Sequence, residues 1–154
     1  MIRRARPEDA PAIATLFRRS FGTLSFLPVV HTPEEYLRHV GHLIREHELW
    51  VFEVDDDILG FASLDDGELS NLYVEPDVIG QGIGSMLLDH AKARRPDGFR
   101  LWVFQENERA RAFYERRGCT LVELTDGSDN EQGAPDALYQ WRPTREGRAS
   151  GDLS

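Results

Sequence analysis

The sequence predicts an α/β (α+β) fold: a mixed, mostly antiparallel central sheet of about seven strands flanked by four helices. Three observations carry that expectation. ELWVFEV (48–54), ILGFASL (58–64) and ELSNLYV (68–74) read as strands, and the Asp- and Gly-containing tips between them are short enough for hairpins. An antiparallel meander follows. The run from 68–74 through VIGQGIGSMLLDHA to FRLWVF (99–104) reads strand, loop, helix, strand. It is long enough for one crossover, so segments 68–74 and 99–104 are expected as parallel neighbours. Apolar residues at helical spacing, framed by start and stop signals, place four helices around these strands.

IRRA (2–5) is a short edge strand. In PEDAPAIATLFRRSF (7–21), Ile13, Leu16, Phe17 and Phe21 recur at helical intervals behind a proline suited to a first turn. The second helix opens with Thr32, Pro33 and Glu35, a Thr-x-x-Glu capping box, and carries Tyr36, Leu37, Val40, Leu43 and Ile44 on one face. After the meander, the helix behind the glycines presents Ile83, Met86, Leu87 and Ala91, and Pro96, Asp97 and Gly98 stop it. FRLWVF reads as a buried strand. NERARAFYERRG starts a fourth helix at Asn107 and ends it at Gly118. TLVELT (120–125) and ALYQWRP (137–143) are two more strands, giving the order β-α-α-β-β-β-α-β-α-β-β. At 154 residues with 40% hydrophobic content the chain is expected to form a single domain over 1–142. The polar remainder, 143–154, is expected to be a disordered tail.

The formal charge is −9, and the acids gather in EVDDD (53–57), DDGE (65–68) and TDGSDNEQGAPD (125–136). Most of these read as solvated loop tips. Bulk acidity disfavours nucleic acid and anionic membranes as partners and mildly favours a cationic small molecule or peptide. The N-terminus lacks the apolar segment of a signal peptide and no apolar run reaches a membrane span, so a cytoplasmic protein is expected. Cys119 is the only cysteine and no pair of the five histidines has an HExxH arrangement, so neither a disulfide nor a metal site is expected.

The chemistry-bearing stretch is VIGQGIGSMLLDHA (78–91), with Gly80, Gly82 and Gly84 directly before a helix. Such a loop offers unpaired first-turn amides with no Cβ in the way, and the helix dipole adds partial positive charge, which suits a phosphate or diphosphate. The competing reading is a tight turn that needs glycine only for positive φ. An anionic ligand on an acidic protein needs local basic groups, and Lys92, Arg94, Arg95, Arg109, Arg111, Arg116 and Arg117 crowd into the same quarter of the chain. No lysine follows Gly84, which disfavours a Walker loop. A dinucleotide fingerprint from Gly80 would need glycine at Ser85 and further βαβ units.

NLYVEPDVIGQGIGSMLLDHA followed by LWVFQENERARAFYERRGC resembles the acetyl-coenzyme A signature of the GNAT superfamily of N-acetyltransferases, and the element order is similar to that fold over residues 2–142. The resemblance implies an enzyme that moves an acetyl group from acetyl-coenzyme A, as co-substrate, to a primary amine of a small molecule or peptide by direct attack in a ternary complex. It implies that the amides of Ile79, Gly80, Gln81, Gly82, Ile83, Gly84 and Ser85 take the diphosphate. Leu72, Tyr73 and Val74 would pair their backbone with the pantetheine arm, and Asn107, Ala110, Phe113 and Tyr114 would line it. Ile79 stands where the family commonly has Arg or Gln, and Cys119 where an aromatic often follows the glycine.

Acetyl transfer needs a neutral amine, a polarised carbonyl and a proton for the departing thiolate. Tyr114 is the candidate acid, against the plainer reading of one more aromatic on a core-facing helix; Asn107 also reads as an ordinary N-cap. The base is left open among Glu68, His31, Glu123, Asp136 and a water chain. His39, His42 and His47 read as the polar margin of the second helix, and Trp50, Trp102 and Trp141 as core or cleft wall. Substrate choice is expected between FGTLSFLPVVHTPEE (21–35) and the acidic loop 125–136. A non-catalytic acyl-coenzyme A binding module is the alternative, and the sequence leaves a homodimer open.

Overall fold

The computed structural model describes residues 1–143; beyond Pro143, the expected tail lies outside the described residues. The elements come in the expected order: β1 (Ile2–Arg4), a 3-10 turn (Pro7–Asp9), α1 (Ala10–Phe21), α2 (Pro33–Glu46), β2 (Glu48–Val54), β3 (Asp57–Leu64), β4 (Leu69–Val74), a 3-10 turn (Pro76–Val78), α3 (Ile83–Arg94), β5 (Phe99–Phe104), α4 (Glu108–Arg116), β6 (Thr120–Leu124) and β7 (Asp136–Trp141). No helix among the described residues is long and apolar enough to cross a membrane.

Local chemistry explains the boundaries. At α2 the Glu35 amide donates to Thr32 Oγ1 (3.2 Å) and the Thr32 amide to Glu35 Oε1 (2.8 Å), so the capping box closes in both directions. Between β2 and β3, Asp55 and Asp56 take φ of 50° and 67°, the left-handed pair that a two-residue hairpin turn requires. On α3 the buried face is Ile83, Leu87, Leu88 and Ala91, and Met86, expected there, is 43% exposed. With Leu88 turned inward at 100° per residue, the centre of the apolar stripe moves past Leu87 and leaves Met86 at its margin.

The seven strands do not form one continuous sheet. Strands β1-β2-β3-β4 make an antiparallel sheet and β5-β7-β6 make a second. The expected parallel pairing of segments 68–74 and 99–104 is reduced to one bridge, Glu68 to Arg100, with the Arg100 amide donating to Gly67 O at 3.0 Å. Immediately after it, the β3–β4 register slips: Ser63 faces Asn71 but Leu64 faces Leu69, which leaves Ser70 unpaired. A bulge of this kind bends its strand, and here it turns β4 away from β5. The two strands therefore part towards their C-terminal ends.

Apolar side chains fill both faces of the first sheet. On one, Ile13, Leu16 and Phe17 of α1 and Val40 and Leu43 of α2 meet Leu49, Val51 and Phe61. On the other, Ile83, Leu87 and Leu88 of α3 meet Ala62 and Leu64, with Leu101, Val103 and Tyr139 of the second sheet. Helix α3 crosses β3 at Gly60, where a Cβ would lie 2.9 Å from Leu87 Cδ1 and 3.0 Å from Ile83 Cγ2. Its far end is tied to β2 through Glu48, which accepts from Arg94 Nε (2.5 Å), Trp50 Nε1 (2.9 Å) and Arg95 Nη1 (3.3 Å). These bonds, Arg94 first, hold the Glu48 carboxyl down at about 2. The N-terminus of α3 is thereby fixed beside the mouth of the gap between β4 and β5.

Candidate functional site

The loop from β4 to α3 turns on Gly80 and Gly82, whose φ values are 94° and 87°, a region that costs other L-residues about 1–2 kcal/mol. A Cβ on either would touch nothing within 4 Å, so their requirement is conformational. Gly84 differs: it is already in α3, and a Cβ there would lie 3.4 Å from the Phe113 ring of α4. That is an ordinary van der Waals contact. Among the described residues, no backbone amide from Ile79 to Ser85 donates to a protein acceptor; the first α3 bond is Met86 N–H to Gly82 O at 3.0 Å. Gly82 caps α3 without a side chain, so the first-turn amides are left without a protein partner among the described residues at the positive end of a 12-residue helix. Positive φ accounts for Gly80 and Gly82, and the arrangement still leaves a row of free donors suited to an anion.

The backbone of β4 supplies the next part. Glu75 N–H donates to Leu59 O at 2.8 Å, and the antiparallel alternation then directs Tyr73 towards Phe61 and the polar groups of Leu72 and Val74 towards the gap. Val74 O is already used, accepting from Ser20 Oγ at 2.6 Å. The edge open to an added strand is therefore both groups of Leu72 and the amide of Val74. Tyr73 departs from the expected backbone role because its N–H and C=O face β3. Its ring instead stacks on Phe17 with centroids 4.8 Å apart. Nothing in the sequence singles out Ser20, since its function depends on α1 crossing the end of β4.

Helix α4 carries Asn107 at its cap and packs Ala110, Phe113 and Tyr114 into the core beside α3. Asn107 Oδ1 accepts from the Ala110 amide at 3.2 Å, so it caps the helix, while its Nδ2 has no partner among the described residues. Ala110 and Phe113 pack against the α3-side core. The Tyr114 ring meets Phe113 edge-on at 5.1 Å and is 8% exposed, and its hydroxyl makes no hydrogen bond among the described residues. Burial, aided by the nearby Tyr73 phenol, pushes the Tyr114 pKa well above that of a free tyrosine. The group stays protonated and keeps a proton to donate.

The two segments expected to choose substrate do meet. His31 Nε2 lies 2.7 Å from Glu131 Oε2, one hundred residues on, and Nδ1 lies 3.7 Å from Glu35. Glu131, then Glu35, raise the His31 pKa. A cavity of about 420 Å³ beneath this contact is lined by Phe17, Phe21, Tyr36, His39 and Glu131. A second, of about 580 Å³, lies against the second sheet and is lined by Trp102, Phe104, Glu123, Asp129 and Asp136. Trp102, expected in the core or a cleft wall, is 44% exposed and forms the wall of this hollow. Asp136 is engaged by Thr125 and Asn130. Phe104 joins the two regions through edge-on contacts to Phe21 and Phe26, both at 6.1 Å. Glu68, in contrast, sits at the joined end of the sheets, about 20 Å from Val74 at the rise of a strand.

Known proteins share the sequence and fold of this chain. The acetyltransferase (GNAT) domain profile matches residues 45–118. The peptidyl-lysine N-acetyltransferase YjaB of Salmonella typhimurium is 38% identical over 131 residues, covering 83% of this chain and 88% of that protein. YiaC of Escherichia coli, also a peptidyl-lysine N-acetyltransferase, is 33% identical over 147 residues, covering 92% and 96%. A crystal structure of the PaiA N-acetyltransferase of Thermoplasma acidophilum in complex with coenzyme A shares the fold, with a TM-score of 0.77 at 22% identity over 93% of this chain and 98% of that one. The chain belongs to the GNAT superfamily. It is an N-acetyltransferase, an enzyme of the acyltransferase class.

Proposed function

We propose that this enzyme transfers an acetyl group from acetyl-coenzyme A to a primary amine, with the lysine side chain of a peptide or protein as the favoured acceptor, by direct attack in a ternary complex. The observation that carries this reading is the row of free amides from Ile79 to Ser85 beside an open strand edge at Leu72 and Val74. The residues present fit the coenzyme: the amides of the loop would hold its diphosphate, and Leu72 and the Val74 amide would hydrogen-bond the amides of its pantetheine arm as an added strand does. Ala110 and Phe113 would flank that arm, and Asn107 Nδ2 is free to donate to it. Bound there, acetyl-coenzyme A supplies a thioester carbonyl open to attack and a thiolate leaving group.

Tyr114 would hydrogen-bond the departing sulfur. A thiol has a pKa of about 8.5 and a free phenol about 10, so full proton transfer from a phenol raised by burial is uphill. The residue therefore stabilises developing negative charge as a donor, and the thiolate takes its proton from solvent. A lysine amine, with a pKa of about 10.4, must shed a proton before attack. The acid-lined hollows on either side of Phe104 favour a cationic acceptor. The names of the two peptidyl-lysine acetyltransferase relatives support the same class.

The test is thiol release from acetyl-coenzyme A over lysine peptides, polyamines and neutral amines, with Tyr114→Phe alongside. Turnover on lysine peptides, lowered about 10²-fold in kcat by Tyr114→Phe with little change in acetyl-coenzyme A affinity, is the expected result. Tight coenzyme binding with no turnover on any amine would instead establish a non-catalytic acyl-coenzyme A module.

A further inference from the structure

Resting on the acetyl-coenzyme A reading above, we propose that Arg117 is a ligand of the coenzyme's diphosphate. The residue ends α4, and its side chain folds back over that helix, with Cζ 4.0 Å from the Phe113 ring centroid and Nη1 donating to Phe113 O at 3.1 Å. Its Nε donates to Ser85 Oγ at 3.1 Å, which brings the guanidinium to the first turn of α3. Nη2 has no hydrogen-bond partner among the described residues.

Two physical features give this arrangement direction. The guanidinium lies between the negative end of α4, where Phe113 O accepts from it, and the positive end of α3, and an anion at the loop would relieve the second contact. Arg117 has no carboxylate within ion-pair distance among the described residues. Three contacts also hold the planar fork in place, so little side-chain freedom is left to lose when a phosphate binds. Because Ser85 Oγ accepts from the arginine, its own proton is left to donate towards the same space. Ile79 brings no charge to the loop. Of the other basic groups nearby, Lys92 Nζ is engaged by Arg117 O at 2.8 Å and Arg111 Nε by the Tyr139 hydroxyl at 3.0 Å. Arg117 thus places a cation beside the backbone donors of the loop.

The experiment compares wild type, Arg117→Gln and Arg117→Lys for binding of acetyl-coenzyme A and of dephospho-coenzyme A by calorimetry, and for kcat/KM with S-acetylpantetheine, which lacks the diphosphate. Arg117→Gln is expected to weaken both nucleotide ligands about tenfold or more, with a shallower salt dependence, and Arg117→Lys to recover part of the loss. S-acetylpantetheine turnover is expected to change less than twofold, which shows that the fold and the thioester end remain intact. Equal affinity of wild type and Arg117→Gln for acetyl-coenzyme A overturns the proposal. So does a loss seen with acetyl-coenzyme A and absent with dephospho-coenzyme A, which would assign the arginine to the 3′-phosphate. A wild-type protein that binds no acetyl-coenzyme A fails the underlying reading first, and the proposal falls with it.

Discussion

Tyr114 shows how one residue acquires two descriptions at once. It is a buried aromatic in the core between α3 and the second sheet, and it carries a phenol with no partner among the described residues. The plainer reading, an aromatic on a core-facing helix, holds, and burial raises the pKa of the hydroxyl above that of a free phenol. Its raised pKa means that no ionisation of Tyr114 falls below about pH 10. A rate profile on a lysine peptide is therefore expected to rise as the acceptor deprotonates and to show no descending limb from Tyr114 below that pH; a limb that disappears in Tyr114→Phe would contradict this. Asn107 likewise caps α4 through its oxygen while its nitrogen stays free. The contacts of Ser20 and Arg117 were not legible in the same way. Their contacts join residues 54 and 32 positions apart, and no local pattern of charge or hydropathy reports such a meeting.

At the scale of elements, helix starts and hairpins were readable because their causes lie within a few residues: the Thr32 to Glu35 box, the Asp55–Asp56 turn, the glycines before α3. The inward face of α3 was partly misjudged at Met86, since Leu87 and Leu88 are both buried and only packing decides the centre of the stripe. The element that most strongly positions the loop is the crossing of α3 over Gly60. Gly60→Ala places a methyl 2.9 Å from Leu87 Cδ1 and 3.2 Å from Tyr73 O, and overpacking of this kind costs about 1–3 kcal/mol. Thermal or urea unfolding should register that loss. Acetyl-coenzyme A affinity should fall as well, because lifting α3 displaces the amides at its N-terminus. An unchanged affinity in a destabilised protein would show that the loop is positioned independently of the crossing.

For the whole molecule, the meander and the crossover were legible, and the split of seven strands into sheets of four and three was not. It depends on the bulge at Ser70, where one residue slips out of register within an otherwise regular strand, and apolar periodicity does not report it. Acid stability belongs to this scale too, since Glu48 ties β2 to the end of α3. Its carboxyl titrates at about 2 in the fold against 4.5 when unperturbed, so its contribution is present above about pH 4.5 and is lost as pH falls through about 2. Glu48→Gln is expected to lower stability by about 1–2 kcal/mol at neutral pH and to flatten acid unfolding over that window in a urea titration series. The single bridge between Glu68 and Arg100 has a mechanical corollary. From that joint the two diverging strands run about 20 Å to the mouth, so a rotation of only about 3° displaces their tips by about 1 Å, the tolerance on which positioning of reacting groups depends. The narrow end of this wedge thus sets the aperture at the wide one.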